Sequence, residues 1–126
     1  MWRRQPRGAP ALVLLVVVGC GGSKTEEQHA APAPDAIRGQ VAYETRCAPC
    51  HGTEGRGDGP AAAGIDPHPR NFRDPDFWRG RTTEQLRLVV RQGKPGTLMP
   101  PFDGALDPGQ IDDVVAFIQH FRPAAP

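Results

Sequence analysis

Apolar residues in this 126-residue chain recur with helical spacing in three places, and nowhere alternate as a half-buried strand would. The clearest stretch lies near the C-terminus, where Ile111, Val114, Val115 and Ile118 fall at i, i+3, i+4 and i+7, joined by Phe117 and Phe121. Asp107 is placed to cap that helix, Pro108 suits its first position, Gln110 completes a capping box, and Pro123 ends it. A second helix is expected from Thr82 or Thr83, with Thr82 and Gln85 as its capping box. Leu86, Val89 and Val90 form its apolar face, and Gly93 suits the C′ position beyond it. A first helix, capped by Asp35, carries Ile37 and Val41 one turn apart and runs toward Cys47. Between these segments the chain is rich in turn formers, with 15 glycines and 15 prolines, so the connections are long and irregular. The pattern predicts an all-α domain of three main helices joined by proline- and glycine-rich loops.

The first residues read differently. Arg3, Arg4 and Arg7 precede a short apolar run, Ala11 to Val18, too short to cross a bilayer as a helix. The run ends at Val17-Val18-Gly19-Cys20, which resembles the lipobox of bacterial lipoproteins. That resemblance implies a signal peptide over 1–19, cleavage before Cys20 and a diacylglyceryl group on its sulfur. An ordinary secretory signal cut near Gly22 or Ser23, and an uncleaved anchor, are the rival readings. Residues 20–34 are polar and rich in Ala, Pro and Gly, as expected of a flexible membrane tether. Its fourteen residues from Gly21 reach at most about 50 Å when extended. One domain, 35–126, is left, small enough for its core to be marginal without help.

Charge excludes one class of partner. The formal net charge is +1, but from Cys20 onward 12 Lys and Arg face 14 Asp and Glu, a net charge of about −2. No basic stripe remains that would suit nucleic acid.

Cys47-Ala48-Pro49-Cys50-His51 carries the chemistry. Two cysteines three positions apart with a histidine directly after them read as a covalent attachment site for one c-type haem. Each thiol adds across a haem vinyl group, and the next residue supplies a proximal imidazole. A bare CxxC would fit a redox disulfide or zinc equally well; the histidine, and the lack of a second such pair, favour haem. The three cysteines are then all used, Cys20 by lipid and Cys47 and Cys50 by haem, with none left for a disulfide. A buried haem would also supply the apolar mass that so short a domain lacks. The sixth ligand is expected from Met99, in the loop Gly93 to Phe102, where Pro100 and Pro101 can stiffen the backbone. A thioether is soft, neutral and suited to reduced iron. Filling the core is the alternative role for Met99, and His68, between two prolines, is a competing ligand.

These residues reach a family. The order of CxxCH after an N-terminal helix, a Met-Pro loop and an amphipathic C-terminal helix resembles class I monohaem cytochrome c. Cys50-His51-Gly52 with Gly55, Gly57, Asp58, Gly59 and Pro60 is similar to bacterial domains of the CHGxxGxGDGP type. Arg70-Asn71-Phe72, Phe77, Arg81-Thr82, Leu86 and the stretch Gly93 to Pro100 continue the likeness, which covers about Ala36 to Phe121. The resemblance implies thioethers at Cys47 and Cys50 and axial ligation by His51 and Met99. It also implies a proline carbonyl that accepts a bond from the proximal imidazole, with Pro60 the matching residue. Tyr43 and Phe117 resemble the aromatics found where the first and last helices cross. Arg70, Arg73, Arg79 and Arg81, with Trp78, are either propionate partners or solvated surface. Arg56-Gly57-Asp58 is read as turn geometry, and His29 and His120 as tether and helix surface.

The function implied is that of a monomeric, single-haem electron carrier outside the cytoplasm, bound to the membrane through Cys20, serving redox partner proteins and having no open catalytic position. A fixed electron-entry subunit of an oxidase, reductase or dehydrogenase is the alternative. An enzyme or gas sensor with an open sixth position is disfavoured, and one CxxCH does not make a di-haem peroxidase.

Overall fold

The computed structural model describes residues 32–125. The expected signal segment, Cys20 and most of the tether lie outside the described residues. Five helices follow in order: α1 (Ala36–Arg46), α2 (Ala48–His51), α3 (Pro75–Trp78), α4 (Thr83–Gln92) and α5 (Pro108–Ile118), which continues as a 3₁₀ turn, Gln119–Phe121. The described residues form no strand, only an isolated bridge between Asp103 and Leu106.

The three long helices start where the sequence places their caps. Asp35 accepts from the amides of Ile37 and Arg38. Thr82 with Gln85, and Asp107 with Gln110, form reciprocal capping boxes. The two single-turn helices, α2 and α3, add to the expected three.

α1 and α5 make the main helix crossing. Ile111, Val114, Val115 and Ile118 of α5 are buried, as their spacing predicts. On α1 the expectation fails, because Ile37 and Val41 are 78% and 65% exposed. The buried face of α1 is instead Gly39 and Tyr43. A Cβ on Gly39 would stand 1.9 Å from the Asp113 carbonyl oxygen, so the two backbones touch there and no side chain fits. Tyr43 packs against Phe117 with centroids 5.1 Å apart, and its hydroxyl donates to the Gly52 carbonyl at 2.7 Å. That bond couples the crossing to the end of α2.

One charged residue is buried at the crossing. Asp113 accepts from the Arg38 guanidinium at 2.8 and 3.0 Å and from the Asp35 amide at 2.7 Å. On the other side of α5, Arg87 of α4 reaches Asp112 and Glu84. Phe72, Trp78, Leu86, Val90, Phe102 and Leu106 extend the same core toward the loops.

Candidate functional site

One helical turn sets the geometry of the motif. In α2 the amides of Cys50 and His51 both bond the Cys47 carbonyl, at 3.1 and 2.8 Å. Positions i, i+3 and i+4 therefore share one side of the turn, and Cys47, Cys50 and His51 all line one cavity of about 240 Å³. Gly52, with φ +78°, ends the helix.

The glycine run after the motif is a strap across the end of α2. The amides of Gly57, Gly59 and Ala61 donate to the carbonyls of His51, Cys50 and Pro49 at 2.8, 3.1 and 2.8 Å. The strap lies so close that a Cβ on Gly59 would be 2.3 Å from the Pro49 oxygen. Pro60, which has no N–H, falls between two of the donors, where none is needed.

Pro60 is thus part of the strap, and the expectation that its carbonyl meets the imidazole is wrong. His51 Nδ1 faces the Arg70 carbonyl at 3.2 Å. The chain passes the motif twice: the strap satisfies the helix end, and the second pass, 69–72, reaches the ring. A Cβ on Gly57 would lie 2.4 Å from the Pro69 oxygen, which shows how tightly the two passes stack. With Nδ1–H donating, the lone pair is on Nε2, free for a metal. Phe72 stacks on the same ring, centroids 4.6 Å apart and planes 15° from parallel.

Met99 lines the same cavity from the opposite part of the sequence, together with Leu98, Pro100 and Phe102. Gly93 is what lets the loop turn there. Its φ is +70°, and a Cβ would meet the Met99 oxygen at 2.7 Å. The Lys94 amide bonds that same oxygen at 3.1 Å, and the Thr97 hydroxyl accepts from the Met99 amide at 3.2 Å.

The rest of the lining is mostly apolar, including Ile65, Phe77, Leu86, Val89, Val90 and Ile118. Arg46, Arg70, Arg81 and Lys94 line it too, with His68 and, among the described residues, no Asp or Glu. The four arginines noted from sequence therefore separate. Arg70 and Arg81 reach the cavity, while Arg73 pairs with Glu54 at 3.1 Å and Arg79 with Asp76 at 2.6 Å. Trp78 is committed elsewhere, its indole donating to the Phe72 carbonyl at 2.7 Å.

Burial weighs against one of the chemistries open to the motif. It pushes the Cys47 thiol up to about 12, with Cys50 adding to the shift. A dithiol redox centre needs a depressed thiol pKa, so that reading loses its support. Burial also lowers His51, against the opposing bond to Arg70, which favours the neutral, ligating imidazole. Two thiols, an imidazole and a thioether around an apolar cavity fit a covalently held haem.

Comparison with known proteins agrees. The family model described as cytochrome c matches residues 36–122. The chain belongs to the cytochrome c family. This cytochrome is 31% identical over 88 residues to the cbb3-type cytochrome c oxidase subunit FixP of Rhizobium etli, covering 64% of this chain and 28% of that protein. A solved structure of a reducing HAO-like protein complex from Kuenenia stuttgartiensis aligns with a TM-score of 0.61 and 31% identity, over 73% of this chain and 44% of that one. A c-type cytochrome, KustC0563, aligns with a TM-score of 0.56 and 24% identity over 68% of this chain and 98% of its own, and shows the fold alone. The cytochrome thus spans well under half the length of the curated relative. It is an all-α class I c-type cytochrome, an electron-transfer protein with covalent haem c.

Of the residues expected from sequence, Cys47, Cys50, His51 and Met99 meet at this cavity and Pro60 does not. His68 lines the cavity on the Pro69 side of the second pass, its Nδ1 3.3 Å from the Pro69 oxygen. Sequence reading missed Arg70 and Phe72 as the residues that hold the imidazole. Gly55 and Gly57 were the available signal, since closely set glycines mark where another pass of backbone can press in.

Proposed function

We propose that this cytochrome passes single electrons between protein partners outside the cytoplasm, with Cys47 and Cys50 holding the haem, His51 and Met99 as axial ligands, and Cys20 lipidated as the membrane anchor. One observation carries the reading: the His51 imidazole and the Met99 loop line the same apolar cavity, which suits closed coordination. The haem supplies a one-electron couple. The chain's part is to keep both ligands in place in either redox state, exclude water with Phe72, Leu86, Val90 and Phe102, and leave an edge accessible.

Two features favour a partner surface at the cavity mouth. Leu98 is 71% exposed beside Met99, and among the described residues the lining cations have no carboxylate with them. Arg70 and Arg81 are the candidates for offsetting the propionates. An apolar spot ringed by positive charge suits weak, transient docking to an acidic redox protein.

The test is a pair of spectra. The oxidised holoprotein is expected to be low-spin with a methionine-to-iron charge-transfer band, and to bind carbon monoxide far more slowly than Met99→Ala. High-spin iron, or equally fast binding by both, would sink the proposal.

A second reading is favoured by the likeness to an oxidase subunit: the domain serves as a fixed electron-entry unit of a larger complex. Purification from detergent-solubilised membranes separates the two, a free monomer indicating the shuttle and a stable assembly the subunit.

A further inference from the structure

The segment that holds the proximal histidine is itself braced from behind. Arg70 meets the imidazole edge through its carbonyl, and two residues later Phe72 covers the ring face. One tripeptide thus fixes the ring both in rotation and in tilt. At Phe72 its backbone is tied twice: the amide donates to the Gly55 carbonyl at 2.6 Å, and the carbonyl accepts from Trp78 Nε1 at 2.7 Å.

The second tie is the less ordinary one. Trp78 is 4% exposed, covered by the Arg122 guanidinium 5.4 Å from its ring centroid. An indole has a single donor and no acceptor, so the whole polar capacity of Trp78 goes to that carbonyl. Phe77 already packs against Phe72 at 5.2 Å, without any donor. Apolar filling is therefore supplied by a neighbour, and what Trp78 adds is the N–H.

We infer that Trp78 is a positioning residue for the proximal ligand: its indole N–H fixes the Arg70–Phe72 segment, and through it the orientation and basicity of the His51 imidazole. This rests on the reading of His51 as axial ligand. A carbonyl that accepts from the outer nitrogen of a ligating histidine raises the basicity of the inner one. A more basic ligand favours oxidised iron. Loosening the brace therefore raises the midpoint potential.

The experiment compares the holoprotein carrying Trp78→Phe with one carrying Val114→Ala, a buried α5 position that does not line the cavity. Two readouts are taken: the midpoint potential, and solvent exchange of the His51 Nδ1–H by NMR in the reduced, diamagnetic state. Trp78→Phe is expected to speed exchange several-fold and raise the potential by about a threefold change in the oxidised-to-reduced ratio. Val114→Ala is expected to lose stability and move neither. Wild-type exchange and potential in Trp78→Phe would overturn the inference, as would equal shifts in both variants. If Trp78→Phe does not accumulate, biosynthetic replacement of tryptophan by benzothienylalanine removes the N–H and keeps the shape. The other tryptophan, Trp2, lies in the segment expected to be removed. The same shifts are expected from it, and their absence overturns the inference equally. The wild type separates the two levels of the argument. His51 ring protons without the large upfield shift of a haem ligand would overturn axial ligation and the inference with it. Shifted protons that no change at Trp78 affects would overturn the inference alone.

Discussion

The His51 and Met99 walls of the cavity are restrained in different ways. Around His51, bonds arrive from distant parts of the chain: the strap at 57–61, the Arg70 carbonyl, the Tyr43 hydroxyl on Gly52 and the Trp78 indole on Phe72. Around Met99, the described hydrogen bonds of residues 94–99 stay within the loop itself. One wall is cross-linked to the whole fold, and the other is a local turn resting on it. A ligand held by the first kind stays put under stress, whereas a ligand held by the second can leave while the domain remains folded.

The largest effect is expected where the cross-linked wall loses its centre. Phe72→Ala removes the ring stacked on His51 and should cost about 3–5 kcal/mol, read by denaturant unfolding of the holoprotein. A loss as small as that of a surface substitution would erase the contrast. Gly93→Ala attacks the other wall, where the +70° φ and the approach to Met99 leave no room for a methyl group. About 2–3 kcal/mol is expected, with loss of the methionine charge-transfer band while far-ultraviolet circular dichroism keeps its helical signal. If the helices melt together with the band, the loop is not a separable unit.

Acid tests the support behind both walls. The Arg38 guanidinium, helped by the Asp35 amide, holds the Asp113 carboxyl below its ordinary 3.8 against the opposing effect of burial. A carboxylate with a depressed folded pKa stabilises the fold above its unfolded value, and that stability is lost as pH falls through the folded one. Thermal melts should therefore steepen in their pH dependence below about 3.8, and less so in Asp113→Asn. That variant should cost about 1–2 kcal/mol at neutral pH, since one acceptor is lost at a buried site. An unchanged acid slope would show that the crossing owes nothing to this carboxylate. The smallest effect sharpens the picture of the Met99 loop. Thr97→Val removes the hydroxyl between Lys94 and Met99 and should cost about 0.5–1.5 kcal/mol. It should hasten carbon monoxide binding without altering the His51 signals, and a change on both walls would mean that they are coupled.

The legibility of the sequence follows the range of the interactions. Caps are local, so Asp35, Thr82 with Gln85 and Asp107 with Gln110 could be read directly. The face of α5 was legible because Ile111, Val114, Val115 and Ile118 agree on it. The face of α1 was not, because its contact is made by a glycine and a tyrosine, while the two aliphatic residues that suggested a face point to solvent. No periodicity reports a side chain that must be absent. The same cause explains Pro60 and Arg70: any residue can offer a carbonyl, so only the path of the backbone reveals which one meets the ring. The motif and Met99, which line one cavity, could be singled out in the sequence because their chemistry is scarce. The lining by Ile65 and Pro67 was not, because a loop without period gives no clue to which side faces in.

The bond between Arg38 and Asp113 joins positions 75 apart in sequence. Gly39 sits against the α5 backbone, where a Cβ would stand 1.9 Å from the Asp113 oxygen, so this contact forms only once α5 is made. During synthesis the thiols of Cys47 and Cys50 thus emerge well before the helix that packs behind them. The glycine that makes the finished crossing so close therefore waits on a helix made much later in the chain.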